Sequence, residues 1–265
     1  MSFLKKTLAS FGIGAAKVDS VLQQEVLQPG QQANVTIHVY GGATEQEIDN
    51  IYVRLYCRYV DEEPVGDSHG HESQQRTKRV HRNYVLDQWI LPYAFTIHSG
   101  ETRDFQVELN VPWNTPITIG DAKVWLETGL DISQAVDPAD KDEITVRPEP
   151  MLDAVFSAFE SQGFRIRQVE CEAAGGFELP FVQEFEFVPT TGPYHGRWRE
   201  VEVVAYRTEE ALELWFEIDR HQRGIGGMLS HLLGSGELKR RLSIPVTTPV
   251  DEVASLMFDF LEQST

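Results

Sequence analysis

From Ile51 to Tyr59 every second side chain is apolar: Ile51, Val53, Leu55, Cys57 and Tyr59 share one side, with Arg54 and Arg58 on the other. A period of two belongs to a strand with one dry and one wet face; a helix returns to the same face only every 3.6 residues or so. Val35, Ile37 and Val39 repeat the pattern, as do Phe105, Val107, Leu109 and Val111, and Pro29-Gly30 and Gly41-Gly42 supply turns. Residues 17–147 hold several such runs and no helical stripe, which predicts an antiparallel β-sandwich. Within them, Asp61–Arg79 lacks periodicity and predicts a long exposed loop or hairpin tip.

The pattern changes at Pro148-Glu149-Pro150. Leu152, Val155, Phe156 and Phe159 then recur at i, i+3, i+4 and i+7, and Gly163 stands where a helix would end. Strand patterns resume in Phe185 and Phe187, in Val201, Val203 and Ala205, and in Leu212, Leu214, Phe216 and Ile218. Glu184, Glu186, Glu213, Trp215 and Glu217 fall on the alternate positions. Gly224–Gly236 predicts a loop with one short helix. Near the end, Thr248, Pro249 and Asp251 resemble a helix start, followed by a stripe of Val253, Leu256, Met257, Phe260 and Leu261. The expected organisation is an N-terminal helix over 1–16, carried by Phe3, Leu4, Leu8 and Phe11, a β-sandwich over 17–147, and a second sandwich-like domain over 148–265. Helices near 149–162 and 249–262 flank the second domain, for which an α+β arrangement is the alternative.

At 265 residues the chain is long enough for two domains, and its 41% hydrophobic content can fill their cores. Its 23 basic and 41 acidic residues give a net charge of −18, which opposes nucleic acid and anionic membrane as bulk partners. Two distant cysteines, Cys57 and Cys171, point to a reducing compartment rather than a disulfide scaffold. No run approaches the roughly 18 apolar residues of a membrane helix. These features predict a cytoplasmic location without an integral membrane segment.

Searches for chemistry return little. His69, His71 and His81 are the nearest approach to a metal cluster, but they lack the converging spacing of a zinc site and fit a solvated loop. Asp131, Asp137, Asp140, Asp142 and Glu143 miss the ligand spacing and glycine of a calcium loop. Cys57 falls on an apolar face, and Cys171 lies between Glu170 and Glu172, which disfavour a thiolate. Gly224–Gly236 has neither a dinucleotide fingerprint nor a phosphate-loop lysine, and no nucleophile elbow occurs. No catalytic, cofactor-binding or metal residue is assigned, no cofactor is expected, and the chain is read as a non-enzyme.

Residues 1–19, Met-Ser-Phe-Leu-Lys-Lys-Thr-Leu-Ala-Ser-Phe-Gly-Ile-Gly-Ala-Ala-Lys-Val-Asp, resemble the start of SpoOM sporulation-control proteins. Val39-Tyr40-Gly41-Gly42 with Glu45-Gln46-Glu47-Ile48-Asp49, the stretch Leu179–Pro189, and Glu217-Ile218-Asp219-Arg220 with Arg223-Gly224 are similar to that family in the same order. The resemblance implies an arrestin-like fold of two β-sandwich halves and a negative regulator of sporulation linked to division and cytoskeletal proteins. It brings no catalytic residues with it. The expectation is a cytosolic regulatory adaptor that binds protein partners at an unassigned surface, with a homodimer through the N-terminal helix or a sheet edge compatible with the pattern. Two alternatives stand beside it. One is a metal-dependent enzyme using His69, His71 and His81; the other is an envelope-associated ligand-binding sandwich with residues 1–16 as an export or anchoring element.

Overall fold

A computed structural model describes residues 14–64, 77–91, 94–132, 138–219 and 240–263. The chain is mainly β and divides into two compact units. The first unit takes residues 1–57, 85–112 and 124–145; the second takes 58–84, 113–123 and 146–265. Residues 1–13 of the expected N-terminal helix, the Gly224–Gly236 loop, His69, His71 and Asp137 fall outside the described residues, and residues 14–16 are a turn leading into a strand rather than helix.

In the first unit, β1 (Lys17–Leu22), β3 (Gln32–Tyr40) and β7 (Thr102–Asn110) form an antiparallel sheet with β3 at the centre. β2 (Val26–Leu27) is a short strand between β1 and β3. Register pairs Val35 with Val107 and Ile37 with Phe105, so the apolar positions of β3 and β7 share one face. The Gln46–Cys57 part of β4 (Gln46–Pro64) lies between β6 (Phe95–Ile97) and β8 (Lys123–Ile132), and β9 (Ala139–Glu143) pairs with β8. Ile51, Val53, Leu55 and Cys57 are fully buried, as the alternation requires. β5 (Thr77–Leu91) pairs with β4. Asp61–Pro64 and Thr77–Arg79 therefore extend two paired strands, and the remainder of the stretch read as a long exposed loop or hairpin tip, 65–76, lies outside the described residues. The backbone groups of the paired strands find ladder partners that an aperiodic sequence does not reveal.

Gly41 and Gly42 have a steric cause. A Cβ on Gly41 would lie 1.9 Å from the His98 carbonyl oxygen, and one on Gly42 would lie 2.1 Å from that of Gly14. Three chain segments are laced together here: the Ala43 amide donates to Gly14, the Gly41 amide to Glu101, and the Gly100 amide to Gly42. The acidic run between 131 and 143 serves structure in part. Asp140 accepts from the Ser20 amide and Asp142 from the Ser20 hydroxyl.

The second unit contains an antiparallel run in the order β15-β14-β13-β12-β11. These strands are β11 (Phe164–Ala173), β12 (Phe181–Pro189), β13 (Glu200–Arg207), β14 (Ala211–Asp219) and β15 (Arg241–Pro245). A short β10 (Thr145–Val146) precedes them. Helix α1 (Pro150–Ser161) begins where the sequence indicates: Glu149, extended as a residue before proline must be, accepts hydrogen bonds from the Met151 and Leu152 amides. Gly163 ends it at φ +86°, with the space of a Cβ occupied by Thr191. α1 lays Phe156 against Phe185 and Phe159 flat against Phe187.

Helix α2 (Val253–Gln263) follows a 3₁₀ turn, Val250–Glu252. Its start departs from expectation. Pro249 occupies the cap of the 3₁₀ turn without a side-chain hydrogen bond, and Thr248 does not cap. Val253, Met257 and Leu261 are buried, Phe260 is half-buried against Phe216, and Leu256 is exposed. Phe258, off the expected stripe, packs on Phe159 and Tyr194. Both helices thus cover one face of the sheet, which is the flanking-helix form foreseen for the second half.

Candidate functional site

The opposite face of that sheet gathers carboxylates from β11, β12, β13 and β14. Alternation puts Phe185, Val203, Leu214 and Phe216 toward the helices, so the intervening side chains of each strand emerge together on the far side. Register then aligns them in rows. Gln168, Glu186, Glu202 and Glu217 stand opposite one another across β11, β12, β13 and β14. The next row runs Glu170, Glu184, Val204, Trp215 and Arg241 across all five strands, β11 to β15. Like charges directly opposite one another destabilise a sheet unless neutralised.

Cations brought from elsewhere in the unit supply part of that neutralisation. Arg79, on β5, donates to Glu170 at 2.6 Å and to Glu172 at 2.9 Å. Arg167 donates to Glu200 at 2.6 Å and contacts Glu186. Arg241 and Ser243 donate to Glu213 at 3.0 and 2.8 Å. Glu213 and Trp215 are buried, so this part of β14 is not the wet face that alternation predicts. Phe177 packs on Tyr206 and edge-on to Trp215, capping the middle of the face with aromatic carbon.

The remaining repulsion appears in the titration of the carboxyls. Burial, then the charges of Glu202, Glu172, Glu170 and Glu217, push Glu184 up to about 8. One of its oxygens is buried with no hydrogen-bond partner. Glu170 and Glu172 divide one proton between them. Burial and the hydrogen bond to Glu170 raise Glu172 to about 7. Burial works against the Glu170 carboxylate too, but hydrogen bonds from Glu172 and Arg79 outweigh it and hold Glu170 below the usual range. Burial, reinforced by Glu170 and Glu172, pushes the Cys171 thiol up to about 12, so it stays protonated. Cys57 is also buried and, among the described residues, forms no disulfide.

His81 is exposed on strand β5, and the other two histidines of the candidate trio lie outside the described residues. Among the described residues no three His, Cys, Asp or Glu side chains converge so as to hold a metal ion. None of the described helices is long and apolar enough to cross a membrane. The carboxylate face went unforeseen because each glutamate looks like an ordinary solvent-side residue in its own strand. Its one linear signal is the repeated Glu-x-Glu of 170–172, 184–186 and 200–202.

Fold and site together define a mainly β, arrestin-like protein whose second unit carries helices on one sheet face and carboxylates on the other. Residues 4–222 match the family described as SpoOM protein. The sporulation-control protein spo0M of Bacillus subtilis (strain 168) is 38% identical over 272 residues, covering 99% of each chain. The crystal structure of Spo0M, sporulation control protein, from Bacillus subtilis superposes with a TM-score of 0.81 at 35% identity, covering 96% of this chain and all of that one. The chain belongs to the SpoOM family.

Proposed function

We propose that this chain is a non-enzymatic, cytoplasmic regulator in the control of sporulation that works by binding other proteins. The observation that carries the reading is the match to a relative named as a sporulation-control protein, which covers 99% of each chain. The charged groups of the second unit support it. Arg79, Arg167 and Arg241 are each engaged by glutamates, which links side chains of β5, β11, β13, β14 and β15 within that unit. The resemblance to SpoOM proteins points to division and cytoskeletal proteins as the partner class. A sandwich offers partners its strand edges and loop tips.

The test has two arms. In Bacillus subtilis lacking its own relative, expression of this chain restores the wild-type frequency of sporulation. In cells that make the chain natively, crosslinking recovers defined proteins that an unrelated acidic protein does not. A chain that neither restores sporulation control nor crosslinks to a defined protein overturns the reading.

A further inference from the structure

Strand β4 meets β11 in parallel at one position, Val60 opposite Glu172. Beside that pair lies a cavity of about 270 Å³, bordered by Arg58, Arg79, His81, Asp121, Glu170 and Cys171 among others. All of these residues belong to the second unit. The cavity is slightly smaller than the usual ligand pocket of roughly 300–1,000 Å³, which suits a small charged group better than a cofactor.

The charges around it are unevenly committed. Glu170 is held by Arg79, which also reaches Glu172 and feels the charge of Glu62, so this cluster leaves no spare positive charge for the cavity. Arg58 is half-buried and, among the described residues, makes no ion pair or hydrogen bond. The neighbouring Arg82, by contrast, is taken by Asp61 and Glu63. A guanidinium presents a planar fork of five donors matched to two oxygens of a carboxylate or phosphate, and partial burial strengthens such a pair. His81 also borders the cavity and carries a ring N–H. Cys171 brings no negative charge to the cavity, since its thiol is protonated. Asp121, exposed at the border, is the one uncommitted carboxylate among these residues.

We propose that this cavity is a binding site for an oxyanion group, carboxylate or phosphate, with Arg58 as the principal ligand-binding residue. Asp121 opposes the bound charge and limits its affinity. The site is independent of the regulatory reading, because it is defined by charge and shape within one unit.

The test is titration of the purified full chain by calorimetry, at constant ionic strength, with inorganic phosphate and separately with acetate. At least one of the two binds saturably, with a Kd of about 1 mM or tighter. Which of them saturates distinguishes a phosphate source from a carboxylate source. Arg58→Gln weakens binding about tenfold or more, and Arg58→Lys, which keeps the charge but not the fork, loses most of the affinity as well. Asp121→Asn tightens binding severalfold, a result that does not depend on the Arg58 variants folding. Arg147→Gln, at an exposed position elsewhere in the unit, leaves binding unchanged. Absence of saturation with both anions, or equal effects of Arg58→Gln and Arg147→Gln, overturns the proposal.

Discussion

Single residues show where the backbone tolerates no addition. At Gly42 the space for a Cβ is filled by the Gly14 carbonyl and by Ala15 backbone atoms, which cannot swing aside as a flexible side chain could. The hydrogen bond from Ala43 to Gly14 fixes that approach at 2.9 Å. Gly42→Ala therefore separates two hydrogen-bonded segments, and overpacking of this kind costs about 1–3 kcal/mol. The urea midpoint is expected to fall with an unchanged m-value. Gly100 is the control: its substitution meets no atom within 4 Å, although its φ of +70° keeps some backbone strain in play. A Gly42→Ala midpoint equal to wild type would show that the lacing is loose.

At the level of elements, the difference between what periodicity shows and what packing decides is clearest in helix α2. The stripe Val253, Leu256, Met257, Phe260 and Leu261 is apolar throughout, yet three of its members are buried, Phe260 is half-buried and Leu256 is exposed. A helix face is wider than the line along which it touches a sheet, and sequence marks the face alone. Leu261→Ala is expected to cost about 2–5 kcal/mol, the range for a buried leucine, whereas Leu256→Ala stays within about 0.5 kcal/mol. Similar losses of melting temperature for the two would mean that Leu256 is covered. The strands of the first unit and helix α1 were legible because alternation, a proline before the first turn and a glycine after the last are local signals. The carboxylate face was not, because it exists only once register sets Glu186, Glu202 and Glu217 side by side. Arg79 reaches Glu170 across 91 positions of sequence, a distance that no local pattern spans.

For the molecule as a whole, charge and pH are coupled through that face. The net charge of −18 raises the free energy of any compact state, and the glutamate rows concentrate the repulsion. Glu184 takes up its proton near 8 in the folded chain but near 4.5 when unfolded, and Glu172 near 7, so between these limits the folded state binds more protons. The slope of unfolding free energy with pH is then negative: the contribution is fully present below about 4.5 and is lost as pH rises through about 8. Glu170, held low by hydrogen bonds from Glu172 and Arg79, and Glu213, held low by Arg241 and Ser243, act in the opposite sense and lose their contribution as pH falls through their own range. Between pH 6 and 9 the raised groups dominate, because the lowered ones are already ionised in both states. Glu184→Gln keeps the shape, removes the charge, and lets an amide donate to the carboxylates beside it. It is expected to gain about 1–3 kcal/mol at pH 9, after discounting for water at the face, and little at pH 5. Salt provides the independent check. Shortening the Debye length from about 30 Å to about 8 Å should raise the melting temperature of the wild type at pH 9 more than that of Glu184→Gln. A Glu184→Gln variant with the same pH slope and salt response as the wild type would place the proton uptake on other groups.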